Sequence, residues 1–235
     1  MARIEGYAYS DGTAKYRAVN TLVIEEQPSS PAVTEARLVA PAVFGDALLA
    51  WQALLNATAP AGQYAITYDA TTRRVTIAST NAVNFKPVFL GGDVDLALWL
   101  GFDPGAAFGF ALTHTGTAIP WGRVEVLGVD IEPPEDAAKV DLQQLRLGRA
   151  VAPVFGNHLL ITVALIVVLQ SAPAAWYWVL TGRVRIYPSS DASPYSESNL
   201  DGYTDGWVVS QPAWEQLGDD EGLSVLTLLL ALPRS

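Results

Sequence analysis

The side chains that could do chemistry are few and scattered. His114 and His158 are the only imidazoles. Neither has a partner at ligand spacing, so both read as structural residues, one in a loop and one at a strand entry. There is no cysteine, which removes disulfides, thiolate metal sites and thiol nucleophiles together and leaves the redox compartment open. Carboxylates cluster as Asp93/Asp95, Glu132/Glu135/Asp136, Asp201/Asp205 and Asp219/Asp220/Glu221. A glycosidase needs two of them facing each other across a cleft, which spacing alone does not establish. Helix starts and loop solvation account for all four groups, and Asp93 and Asp95 suit the positive end of a helix dipole. The run Asp201-Gly-Tyr-Thr-Asp205-Gly lacks the ligand alternation and terminal Glu of a calcium loop. No G-x-S-x-G elbow or P-loop occurs, and Gly91-Gly92 has neither the lysine nor the third glycine of a phosphate cradle. The sequence thus offers no catalytic, cofactor-binding or metal-ligating residue. A non-enzyme without a cofactor is expected.

Aromatic residues remain as possible binding groups. Trp176, Tyr177 and Trp178 are consecutive, so at least one ring points away from the other two. Tyr195, Tyr203, Trp207 and Trp214 lie in or beside a polar stretch, where they could stack on a glycan. Filling of core and subunit interfaces is the plainer use of such rings. The sequon Asn56-Ala-Thr58 carries no weight without a secretion signal, and MARIEGYAYSDG has no apolar region of that kind.

Composition narrows the partners. The 235 residues are 50% hydrophobic and only 16% charged, with 14 Lys+Arg against 24 Asp+Glu and a net charge of −10. Such a chain can bury a substantial core. Its thin charge suits a surface covered in part by neighbours. The acidic balance, with no local basic cluster, argues against nucleic acid and anionic membranes.

The elements that must position these residues centre on 37–102. Arg37–Ala40 reads as a strand ended by Pro41. A helix follows from about Asp46, its expected N-cap, to Asn56, with Ala47/Leu48, Trp51 and Leu54/Leu55 on one face. Tyr64, Ile66 and Tyr68 alternate with small or polar residues, as do Val75 and Ile77, around the polar turn Asp69–Arg73. That is a hairpin with one buried face. Phe85, Val88 and Leu90 form an extended run. A short helix then carries Leu96, Leu98, Trp99 and Leu100 and stops at Gly101.

Around that unit, Ala2–Ser10 and Lys15–Glu25 read as an opening hairpin about Asp11-Gly12, and Gln27–Thr34 as a loop. Asp103–Thr117 reads as an irregular connection packed by Phe108 and Phe110. Arg123–Ile131 and Arg183–Tyr187 alternate as strands, while Val140–Leu147 fits a helix or a strand. Leu159–Leu169 and Trp176–Leu180 together are long enough to span a bilayer. However, Pro173 and the β-branched run Ile161–Val168 favour two buried strands, so no membrane span is expected. Ser189–Asp205 reads as an exposed loop. Gly206–Ser210 and Leu223–Leu232 read as strands separated by Gln211–Gly222.

The succession of a small-residue helix ending Leu-Leu-Asn56, then Tyr64-x-Ile-x-Tyr-Asp69, Arg74-Val75-Thr76-Ile77, and Leu100-Gly-Phe102 resembles a module of tailed-bacteriophage structural proteins. The resemblance covers under a third of the chain, and its motifs are packing signals. It implies a virion component of the tail, neck, baseplate or attachment region, assembled in the host cytoplasm. Such a protein works by self-association, as a homo-oligomer, and by docking to other virion proteins. A carbohydrate- or receptor-binding spike or fibre domain, or a capsid decoration protein, is the alternative, with host surface glycan as the partner in the binding case. The expected fold is α+β, with an α+β domain at 1–120 and a β-rich, sandwich-like domain at 121–235.

Overall fold

In the computed structural model, residues 3–8, 21–27, 32–89, 94–131, 158–168, 183–187, 204–208, 213–216 and 223–233 are described. In chain order they form β1 (Arg3–Ala8), β2 (Thr21–Glu26), β3 (Ala32–Arg37), β4 (Ala42–Val43), α1 (Phe44–Thr58), β5 (Tyr64–Asp69), β6 (Arg74–Ser79), β7 (Phe85–Pro87), α2 (Val94–Leu100) and β8 (Thr113–Thr115). Then come β9 (Arg123–Ile131), β10 (His158–Val168), β11 (Arg183–Tyr187), β12 (Thr204–Val208), β13 (Ala213–Gln216) and β14 (Leu223–Pro233). The class is α+β, mostly antiparallel β, as the alternation of apolar residues required.

Two units divide the chain: Met1–Gly6 with Val124–Ser235, and Tyr7–Arg123. The start of β1 therefore groups with the second half of the sequence.

In the first of these units the strands run β10-β9-β1-β11-β12-β14, and β14 also pairs with β10, so the pairing closes on itself. Closure leaves those strands without the free edges of an open sheet. β10 and β14 match residue for residue from His158↔Pro233 to Val168↔Leu223. The apolar run expected as a buried strand is thus a strand, with β14 and β9 as its neighbours. Its expected partner, Trp176–Leu180, lies outside the described residues, as do Val140–Leu147 and the Glu132 and Asp219 clusters. No helix among the described residues is long and apolar enough to cross a membrane. β13 falls within a segment read as a separator, and it pairs with β14 from Ala213↔Thr227 to Gln216↔Ser224. β12 begins at Thr204, inside the segment read as an exposed loop.

In the second unit, α1 buries Phe44, Ala47, Leu48, Trp51 and Leu55. This is the expected face extended one turn towards the N-terminus, except that Leu54 is only half-buried. The helix begins before Asp46, because β4 is extended up to Val43 and pairs with Tyr7 and Ala8 of β1. Val43 is the N-cap, with no side-chain capping bond, and Asp46 sits inside the first turn, where its charge meets the helix dipole. Trp99 of α2 packs on Phe44 (ring centroids 4.9 Å apart) and edge-on to Trp51 (5.5 Å). Gly101, at φ +80°, ends α2 as expected. Its N–H bonds to the Leu98 carbonyl, and the Phe102 N–H reaches back to Ala97, the double bond of a Schellman stop.

The turn of the expected opening hairpin and most of its second arm, 9–20, lie outside the described residues. β1 pairs with β11 and β4, whereas β2 pairs with β3 and β7. Leu22, Val23 and Ile24 are all buried, so β2 carries apolar residues on both faces and takes the centre of a three-stranded sheet. The strand expected at Arg37–Ala40 ends at Arg37, and its body is Ala32–Arg37, part of which was read as loop. Its inward residues are Thr34, Ala36 and, just beyond, Leu38, too small and polar to stand out as an apolar face. The hairpin β5–β6 forms in the expected register, Tyr64↔Ser79 to Asp69↔Arg74. β8, within the segment read as irregular, adds to β6 through Thr76↔Thr115, Ile77↔His114 and Ala78↔Thr113.

Candidate functional site

The most elaborate polar arrangement lies where β2, the connection after α1 and β5 meet. Glu26 ends β2 and is fully buried. Its Oε1 accepts the Tyr64 hydroxyl (2.6 Å) and the Gly62 N–H (2.6 Å), and its Oε2 accepts the Ala61 N–H (3.2 Å). A carboxylate can be held in a dry interior only with such donors around it. Burial, and then the Glu26 carboxylate, push the Tyr64 phenol well above its ordinary range, so it stays a proton donor. Gly62 must be glycine, because a Cβ there would overlap the Tyr64 hydroxyl and the Glu26 carboxylate.

One turn of α1 completes the arrangement. The Asn56 side chain donates to the Tyr64 carbonyl (3.0 Å) and accepts the Tyr64 N–H (2.6 Å), and Gln52 accepts the Ile66 N–H (2.9 Å). These two amides, four residues apart, stand in for a neighbouring strand along the outer edge of β5. Asn56 of the sequon is thereby committed to the backbone, and Thr58 Oγ1 donates to the Leu54 carbonyl.

His114 is a buried strand residue rather than a loop residue. Its ring lies edge-on to Phe85 (4.9 Å) and Phe108 (5.8 Å). Its Nε2 is 2.8 Å from the Phe85 carbonyl oxygen, which can only accept, so Nε2 carries a proton. His158 opens β10 opposite Pro233. Asp205 holds Arg185 in a two-pronged ion pair (2.7 and 2.9 Å) across β11 and β12. Asp201 and Asp93 lie outside the described residues, as do Trp176–Trp178, Tyr195 and Tyr203. Trp207 and Trp214 fall in β12 and β13. Asp69 is occupied by its own turn: the Thr71 N–H and then the Thr72 hydroxyl hold its carboxyl below the usual range.

A shallow groove of about 220 Å³ is lined by Glu25, Lys86, Pro87, Phe89, Pro104 and Phe108 among others, with the Lys86–Glu25 ion pair (2.9 Å) at its side. Neither Glu26 nor His114 lines it. Among the described residues, no group of three or more His, Asp or Glu side chains is placed to hold a metal. The Glu26 site is therefore a latch. It fixes the connection after α1 to β2 and sets the position of β5.

Sequence reasoning missed Glu26, Gln52 and Asn56 as partners. The donors that satisfy Glu26 are two main-chain N–H groups and one hydroxyl, 35 to 38 residues further along the chain. Main-chain donors have no sequence signature.

Compared with known proteins, the chain matches no protein-family model, no curated protein and no solved structure.

Proposed function

We propose that this protein is a non-enzymatic structural component of a tailed-phage particle, of its tail, neck, baseplate or attachment region. In this reading it acts by associating with copies of itself and docking to other virion proteins. One observation carries it: the residues that bear the resemblance pack as one piece. Helices α1 and α2 share the Phe44–Trp51–Trp99 core, and hairpin β5–β6 joins it through Tyr68 on Phe44, so the sequence signals describe a single folding module. The thin charge of the chain and the exposed apolar side chains Val33, Val39, Leu49 and Leu112 fit a surface that is covered in an assembly.

Light scattering on a sizing column, over a concentration series of purified protein without detergent, tests the self-association. A discrete oligomer that persists on dilution is the expected result. A monomer at every concentration would remove self-association from the reading.

A further inference from the structure

We infer that the outer edge of β3 is an interface between two copies of this chain, which pair β3 to β3 in antiparallel fashion about a twofold axis at Ala36. The inference rests on the self-association proposed above and names the surface that carries it.

The edge follows from the hydrogen-bond pattern. β2 is the middle strand of β3-β2-β7. Towards β7, Val23 accepts from Val88 (2.9 Å) and Gln27 donates to Asn84 (2.9 Å), so the odd-numbered residues of β2 turn their main-chain groups to that side. Alternate residues of a strand face opposite neighbours, so Leu22, Ile24 and Glu26 bond to β3, opposite Ala36, Thr34 and Ala32. Val33, Glu35 and Arg37 consequently aim their N–H and C=O groups away from β2. No described strand pairs with them there. Their side chains are exposed, Val33 at 61%, and Val39 just past the strand is 94% exposed.

The sequence of this edge is complementary to itself in one register. A twofold pairing that keeps the buried face buried must centre on a residue. Centred on Glu35, it sets that carboxylate against its own copy. Centred on Thr34, it sets Val33 against Glu35. Centred on Ala36, it sets Glu35 opposite Arg37 of the second copy, twice by symmetry, and brings Val33 beside Val39. Thr34 then lies opposite Leu38, and Ala36 meets Ala36 with no bulk between the backbones. In that register Glu35 and Arg37 are also the residues whose free main-chain groups face the partner, so side-chain and main-chain complementarity coincide.

Charge reversal tests this with variants that leave the β2–β3 ladder intact. Glu35→Arg alone and Arg37→Glu alone each turn both symmetry-related pairs into like charges. Each should raise the dimer dissociation constant by about ten- to a hundred-fold, read by light scattering on dilution. The double variant Glu35→Arg/Arg37→Glu should restore association, and mixing the two single variants should give a heterodimer. Circular dichroism spectra of both single variants, matching that of the parent, would exclude unfolding as the cause. If the parent associates but neither reversal weakens it, the β3 interface is wrong and self-association stands. If the parent is monomeric throughout, both are wrong.

Discussion

Two outer strand edges in the Tyr7–Arg123 unit are treated in opposite ways. Along β5, the Asn56 and Gln52 amides of α1 occupy the main-chain groups of Tyr64 and the N–H of Ile66. Along β3, Val33, Glu35 and Arg37 face outward with no described strand beside them. An exposed edge is a template for pairing, and proteins normally blunt it. Here one edge is closed by two side chains of a helix packed beside it, and the other carries alternating charge and apolar residues suited to a second copy. The difference teaches that edge protection is a local choice of residues. The same unit can shut one edge and offer the other.

The largest effect should come from the latch that sets β5 in place. Glu26→Ala leaves the Ala61 and Gly62 N–H groups and the Tyr64 hydroxyl without their acceptor in a buried site. A loss of about 3 kcal/mol in urea unfolding is expected, and less for Glu26→Gln, which keeps one carbonyl oxygen. Removing the shield itself comes next. Asn56→Ala strips the partners from both main-chain groups of Tyr64 and should cost about 2 kcal/mol. If it also promotes association, the shield keeps copies off that edge. If it changes stability alone, the shield serves only to satisfy the backbone.

Alkaline pH probes the same latch without mutation. At pH below 10.0 the Tyr64 phenol is protonated in both folded and unfolded chains, so stability does not depend on it. Above that pH the unfolded chain releases a proton that the folded chain retains, because burial and Glu26 raise the folded value. Stability should therefore fall as pH rises, by up to about 1.4 kcal/mol per pH unit from this group. Burial also raises the Tyr187 phenol, against the opposing Arg185, so part of the alkaline slope belongs to the other unit. Urea midpoints of the parent and of Tyr64→Phe, compared at about pH 8 and about pH 11, separate the two. The slope that disappears in the variant is the contribution of Tyr64.

Much of this arrangement was legible in the sequence, and the missing parts share a cause. The β5–β6 hairpin declares itself because both arms alternate across a short polar turn, and α1 because its apolar residues recur at helical spacing. Gly101 was readable as a stop because only a residue tolerant of positive φ ends a helix that way. The partners of β1 and β2 were not readable. Period-two alternation shows that a residue faces a core, and it does not say that Arg3 will lie opposite Tyr187. β3 escaped because Thr34 and Ala36 make a small buried face that looks like a loop. The Asn56 and Gln52 amides escaped because their partners are main-chain groups, present at every position and marked at none.

The smallest effect on stability is the most discriminating. Proline lacks an N–H, so its cost in a strand depends on where the lost donor pointed. Glu35→Pro removes an outward-facing N–H of β3 and, at dilutions where the chain is monomeric, should change the unfolding free energy by less than about 1 kcal/mol. Ala36→Pro removes a bond to Leu22 and should cost about 3 kcal/mol. On β5 the edge-facing position behaves otherwise, because Ile66→Pro deprives Gln52 of its donor and leaves a part-buried amide oxygen unpaired. That variant should lose at least about 1 kcal/mol although its N–H also points away from the neighbouring strand. Equal tolerance at Glu35 and Ile66 would mean that the helix amides do not shield β5. Equal intolerance in the monomer would mean that the β3 edge is not open, and the β3–β3 pairing would fall with it.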